Sequence, residues 1–523
     1  MMVLKSLFKS LTLLLIVSAL IGVGFFTSTA EEQSPDIRIG VVPTAEQLTI
    51  GSEGEFTVKN KETGEVLFTG ADDSVLVELN STGTIKTNFR LQVAWTTSEP
   101  YVNDWLTKAE AEGYPTYVEE YNGGWRLFIG EFAPDASWST RVNFKNEVVE
   151  KGLAASDAFW KVITINEGKS AVKLTYNNES VTVENPVVLK SDSNIVSINE
   201  KRYRGLAEVG FNSAGTLAGI NELPIEEYLK GVVPRELPPV PYDELEAQKS
   251  QAVAARTYTF ANLGKRSSDG YDLLPTTYDQ VYGGYDAEHP VSTQAVEETR
   301  GVVATHEGDL ITAVYHSTSG GFTANNEDVW NSDAEDYLRG VPDSQRGKAL
   351  EHVPNLSVFK NSANPTSLRA AKNGDFESDW SKYHRWNFEW SSEEISQVLS
   401  GYYNTDVGEV YEINVLERSD SGRVMEIEYV TENGTFYEYK DRVRWSLPYI
   451  DASGGESILL STLFYIEPVE NKDGSVGFKA YGGGWGHGVG LSQTGAVGMA
   501  EKGSTFDDIL KHYYQGIELE TLY

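Results

Sequence analysis

The 523-residue sequence contains no cysteine. Disulfides, thiolate nucleophiles, cysteine lipidation and thiolate metal sites are thereby excluded, and any metal would need histidine and carboxylate ligands. Positive charge is scarce as well: 43 Lys and Arg stand against 77 Asp and Glu, a formal net charge of −34. A chain of this balance with no clustered basic patch is unsuited to nucleic acid, and it repels other polyanions. The same excess of carboxylates favours solubility in concentrated salt, where self-repulsion is screened.

Long apolar runs are missing apart from one. Lys5 and Lys9 lead into Leu11–Phe26, followed by Ser28-Thr29-Ala30 before Glu31. This order reads as an export signal over residues 1–30, cleaved after the small residues or kept as a short membrane anchor. The expected location is extracytoplasmic: secreted, in the cell wall, or anchored by this segment. Low-complexity stretches and repeats of fixed period are also absent.

Length alone suggests about three compact units. Residues 31–85 carry strand-like runs such as "IRIGVV" and "EFTVKN" between Gly, Asp and Asn turns. In residues 88–165, "FRLQVAW" alternates as a strand, "DWLTKAEAEGY" is helical with a glycine stop, and "TYVEEYNGGWRLFIGEF" reads as a hairpin around Asn122-Gly123-Gly124. A second helix and strand are expected within 152–165. Strand-rich sequence then begins a region running from 166 to 523, interrupted by a polar stretch at 343–381 that reads as an insertion. The expected class is α+β, with a long Ala-rich helix over Tyr242–Leu263.

The chemical interest concentrates in "VVPRELPPV", residues 232–240, where Glu236 stands in apolar company. Desolvation among Val233, Pro234, Leu237 and Val240 would raise its pKa and let it serve as a proton donor near neutral pH. If Arg235 folds onto it, the pair is an ordinary ion pair instead. The flanking sequence predicts a short helix over Pro224–Lys230 and an irregular connection carrying Glu236. The long helix that follows would place Ala247, Ala254, Tyr258 and Ala261 on one face.

Three further stretches could meet a ligand: "TTYDQVYGG" with Gln280 and Tyr282; a strand over Leu310–Tyr315 running into His316, Ser317, Thr318 and Ser319; and "YGGGWGHGVGLSQTGAVGMAEKG" with His487, Ser492 and Gln493. The last has eight glycines between 482 and 498, so its backbone can approach a ligand closely. No G-x-S-x-G elbow or phosphate-binding loop is present. The chain closes on a capped helix whose apolar face is Phe506, Ile509, Leu510 and Tyr513.

Two resemblances follow from these residues. Arg90, Gln92, Val93, Gly113, Tyr114, Trp125, Gly130 and Phe132 resemble the SPOR domain, which implies binding to peptide-stripped glycan strands, with Gln92, Trp95 and Trp125 as the candidate contacts. Gly231-Val232-Val233, Glu236-Leu237-Pro238 and Gln251–Tyr258, with the three later stretches in order, resemble the SpoIID/LytB family. Gln248 and Ser250 depart from its usual Leu and Ala. The resemblance implies a peptidoglycan lytic transglycosylase with Glu236 as its catalytic residue. Candidate substrate contacts are Arg256, Gln280, Tyr282, His316, Ser317, Thr318, Ser319, His487, Ser492 and Gln493. The same family includes proteins described as amidase enhancers, so the alternative is a non-catalytic modifier that recruits an N-acetylmuramoyl-L-alanine amidase. Some relatives bind zinc through a histidine matching His316 together with cysteines. With no cysteine here that ligand set is lost; His316 is expected to orient substrate or a neighbouring loop, no cofactor is expected, and zinc held by histidine and carboxylates is the disfavoured alternative.

Overall fold

The computed structural model describes residues 34–81, 84–121, 123–133, 136–156, 158–167, 170–344, 376, 380–450, 454–470 and 474–523. The expected signal segment and most of the expected insertion at 343–381 lie outside the described residues. The fold is α+β, with helices packed among several separate sheets.

Twelve strands open the described chain: β1 Asp36–Ala45, β2 Gln47–Asn60, β3 Val66–Ser81, β4 Thr84–Thr96, β5 Thr116–Tyr121, β6 Gly124–Phe132, β7 Phe159–Glu167, β8 Ala171–Tyr176, β9 Glu179–Val183, β10 Val187–Ile198, β11 Lys201–Phe211 and β12 Leu217–Pro224. Eight of them form one antiparallel sheet in the order β1-β12-β11-β10-β2-β3-β8-β9. The expected separate region 31–85 is corrected by this pairing, because its three strands share a sheet with residues 171–224. Alternation explains the shared core: Leu48, Ile50, Phe56 and Val58 of β2 and Val187, Leu189, Val196 and Ile198 of β10 are all buried.

Residues 84–167 leave this sheet after β3 and return at β8, forming a unit of their own. Its sheet runs β5-β6-β4-β7, and helices α1 (Glu99–Ala111) and α2 (Trp138–Glu150) complete a β-α-β-β-α-β order. The second helix lies at 138–150 rather than in 152–165; only the strand was placed correctly. Ser98 caps α1 by accepting the Tyr101 N–H at 3.4 Å, and the Trp105 indole N–H donates to the Leu153 carbonyl at 2.9 Å.

Three helices follow β12: α3 (Ile225–Glu236), α4 (Leu245–Ala261) and α5 (Pro290–Glu298). The Ala-rich α4 is buried on two sides. Ala252 and Ala255 face the core of the large sheet, whereas Ala247, Val253 and Ala254 face a second core built with the C-terminal segment. Tyr258 packs against the first core and Ala261 is exposed, so the expected four-residue face divides. Alanine suits a helix pressed from both sides, because larger side chains would hold its neighbours off.

The region 166–523 holds a further core. Trp386–Trp390, Phe464–Glu470 and Val476–Gly482 form one sheet, and Val410–Arg418, Val424–Thr431 and Gly434–Tyr439 another. With α6 (Ser392–Tyr403) they enclose Trp390, Leu399, Ile427, Tyr429, Phe464 and Phe478. The chain then re-enters the second core through α7 (Gln493–Glu501) and α8 (Phe506–Tyr513). Thr505 and Asp508 cap α8 reciprocally, and Glu518–Thr521 pairs with Val302–His306.

Candidate active site

Glu236 is the last residue of α3, not part of an irregular connection. Pro234 forfeits one backbone bond but does not stop the helix, because Val232 and Val233 are wholly buried in the core of the large sheet. Their anchoring carries the chain one turn further and delivers the glutamate to a fixed position.

The Glu236 carboxyl is gripped on several sides. The Val281 N–H donates to its Oε1 at 2.6 Å, and the side chains of Tyr315 and Gln493 hydrogen-bond it as well. Burial pushes its pKa up to about 7, and these donors oppose the rise without cancelling it. Arg235 has the smallest lowering influence of those acting on it. Its side chain is exposed and lies over Gly283, so the ion pair that sequence left open does not form.

Three chain segments bring these partners together. Tyr315–His316 pairs in parallel with Leu491–Ser492, which sets Tyr315 beside Gln493 at the start of α7. The expected strand over 310–315 is therefore broken: Asp309–Leu310 pairs elsewhere, with Thr305 and His306. Gln280 is fully buried behind the site; its Nε2 donates to the Tyr315 hydroxyl at 3.1 Å, and its Oε1 accepts from Thr259 at 2.9 Å. Gln493 donates to Gln251 Oε1 at 3.1 Å.

Several expected substrate contacts prove to be scaffold. Arg256, with no exposed surface, holds Glu226 through Nε and an Nη, each at 2.8 Å. Tyr282 is buried against Tyr228, ring centroids 4.8 Å apart, and donates to Asn221 at 2.9 Å. Ser319 donates to Asp343 at 2.6 Å, a carboxylate that also accepts from Tyr513 at 2.7 Å. Ser492 is the cap of α7 and is buried. Thr494 donates to the Ser317 carbonyl and the Thr318 hydroxyl, both at 3.1 Å, tying the 316–319 segment to α7.

The two histidines are neutral near pH 7. Burial lowers the pKa of His316 well below the usual value and that of His487 to about 3. His316 donates from Nδ1 to the Val489 carbonyl at 3.1 Å, whereas its Nε2 is buried without a partner. His487 lies 5.6 Å from His316 between ring centroids. Among the described residues no three His, Cys, Asp or Glu side chains gather as a metal cluster.

Sequence reasoning missed Tyr315, Gln251, the Val281 N–H and Trp485. Trp485 stands 40% exposed in the glycine-rich stretch, bonded both ways to the Thr318 backbone and against Tyr383 at 4.4 Å. A large aromatic side chain in a run of glycines was the available signal. In the β-α-β-β-α-β unit, Trp95 is 51% exposed and paired in register with Arg126, Trp125 is partly buried, and Gln92 Oε1 is buried without a partner.

Comparison with known proteins matches this framework. Residues 213–306, which span α3, α4, Gln280 and Val281, fit the family described as stage II sporulation protein. Over these residues the chain carries a SpoIID-family domain, and it is similar to proteins of the SpoIID/LytB family. It is 32% identical to the amidase enhancer of Bacillus subtilis over 380 residues, 68% of this chain. The match spans about half the length of that relative, 49%. An uncharacterized protein of Brachyspira hyodysenteriae is 27% identical, covering 69% of this chain and 82% of the relative. The stage II sporulation protein D of Bacillus subtilis is 26% identical, covering 57% and 75%. Residues 324–490, which contain the separate core, fit a domain of unknown function.

Proposed function

We propose that the protein is an exported peptidoglycan lytic transglycosylase acting on denuded glycan strands in sporulation or cell-wall remodelling. The observation that carries this reading is Glu236: a carboxyl with its pKa raised to about 7, held by three donors and only partly covered. Such a group is protonated often enough near neutrality to act as an acid and ionised readily enough to act as a base.

The chemistry needs one carboxyl. Protonated Glu236 gives its proton to the glycosidic oxygen between N-acetylmuramic acid and N-acetylglucosamine as the bond to the muramyl C1 breaks. The resulting carboxylate takes the proton of the muramyl C6 hydroxyl, whose oxygen closes onto C1. The products are an anhydromuramyl end and a free 4-hydroxyl, and no water is consumed. Val281, Tyr315 and Gln493 steady the carboxylate between the two steps. His316 and His487, being neutral, shape the loop and do not carry the proton. Hydrolysis would instead require a second carboxyl facing the first.

The SPOR-like unit at 84–167 would hold the same polymer through Gln92, Trp95 and Trp125, raising the local concentration of strand at Glu236. The test is digestion of purified denuded glycan, with mass spectrometry for anhydromuramyl ends. They are expected with the wild type and absent with Glu236→Gln; equal yields from both would sink the proposal.

One observation favours a second reading. The relative at 32% identity is named an amidase enhancer. On that reading the chain binds wall and recruits an N-acetylmuramoyl-L-alanine amidase without cutting glycan. Adding the Glu236→Gln variant to an amidase assay on whole walls separates the two: enhancement that survives the substitution, without anhydro ends from wild type, selects the enhancer.

A further inference from the structure

The separate core at 386–480 carries a cavity of about 630 Å³ between the strand Trp386–Trp390, α6, residues 445–450 and Glu456. We infer that it is a second saccharide site, for a neutral N-acetylhexosamine residue of the strand; this rests on the glycan reading above. The volume lies within the range of about 300–1,000 Å³ typical of small-ligand sites.

One wall is an aromatic platform. Phe388 stacks on Tyr449 with centroids 3.9 Å apart, and beside them Trp445 is 45% and Ile450 65% exposed. An exposed indole face beside half-buried rings in a concave site suits the apolar face of a pyranose ring. The polar lining mixes carboxylate acceptors with side chains that can also donate, Gln397 and Tyr402. Glu456 is exposed, Glu389 is partly balanced by Lys479 at 2.9 Å, and Glu394 is held by its capping box with Ser391. Among the described residues no lysine or arginine lines the cavity, and Lys479 beside it is engaged by Glu389, so the carboxylates that line it disfavour a phosphate or a lactyl carboxylate. Sugar hydroxyls, by contrast, can donate to such oxygens.

Gly401 supplies an independent sign. It lies within α6 and lines the cavity, and a Cβ there would meet nothing within 4 Å. Glycine is disfavoured inside helices, and no neighbour excludes a larger residue here. Its missing side chain leaves the cavity open.

The test is calorimetric titration of the full-length wild type and of Glu236→Gln with tetra-N-acetylchitotetraose. Saturable binding is expected in both. It should weaken at least tenfold in Trp445→Ala and in Gly401→Leu, with melting temperatures unchanged and anhydro-end production from short glycan fragments retained. Absence of binding, binding indifferent to both substitutions, or tighter binding of the cationic deacetylated tetramer would overturn the inference. Glycan cleavage without this binding refutes the cavity alone. Binding in Glu236→Gln with no cleavage by wild type refutes the transglycosylase reading and leaves the cavity standing.

Discussion

Gln280 donates to the Tyr315 hydroxyl at 3.1 Å, and this contact decides where Tyr315 sends its own proton. With a lone pair already engaged, the phenol is turned toward Glu236, whose charged form it favours. Removing the hydroxyl in Tyr315→Phe should therefore raise the Glu236 pKa above about 7. The alkaline limb of a pH–rate profile should move up, while kcat falls by about tenfold from looser positioning. A limb that stays in place would show that Tyr315 does not touch the reacting carboxyl.

Glu236 also links pH to stability. Its folded pKa is raised, so the native state holds the proton more tightly than the unfolded chain, and stability is lost as pH rises from the ordinary carboxylate range through about 7. Glu236→Gln removes the charge and should stabilise the protein at pH 8 by up to about 3 kcal/mol, with little effect at pH 4. Urea unfolding at the two pH values checks this. The same variant should yield no anhydromuramyl ends, so activity and stability move in opposite directions.

The direction of the Glu236 pKa shift was readable in the sequence, but its cause only in part: Val233 and Leu237 are buried beside it, whereas Val240 is 77% exposed and partners at 281, 315 and 493 complete the enclosure. The helical setting of Glu236 was not readable, because Pro234 signals a break that only the burial of Val232 and Val233 overrides. The roles of Arg256 and Tyr282 were unreadable for a similar reason. Polar side chains beside a catalytic motif look like substrate contacts until Glu226 and Asn221 are seen to occupy them. The grouping of β1–β3 with β8–β12 was hidden by the 84–167 unit between them, since alternation reports a buried face and not its partner strand.

The Arg256–Glu226 pair should behave as structure. The guanidinium also reaches the Val302 carbonyl at 3.0 Å, and Glu226 accepts the Tyr523 hydroxyl at 2.6 Å, so the pair ties α3, α4 and the C-terminus together. Arg256→Leu leaves Glu226 buried with its main counter-charge gone and should cost about 3–5 kcal/mol in urea unfolding. The double substitution Arg256→Leu, Glu226→Leu should recover much of that loss. A single variant of full stability with a raised KM would return Arg256 to the substrate.

Two exposed tryptophans should separate binding near the cut from binding far away. Trp485 is joined through Thr318 and Thr494 to Gln493, which touches Glu236, so it can stack on a sugar next to the bond being broken. Trp485→Ala should raise KM by about tenfold on short and long glycans alike, equivalent to about 1.4 kcal/mol of lost contact. Trp95 lies on the β-α-β-β-α-β unit and can act only on a strand long enough to reach both places. Trp95→Ala should therefore raise KM on long denuded strands and leave disaccharide-repeat fragments unaffected. Measuring both variants on both substrates distinguishes the roles, because a length-independent effect of Trp95→Ala would place that face at the catalytic cleft or reveal a change in the fold.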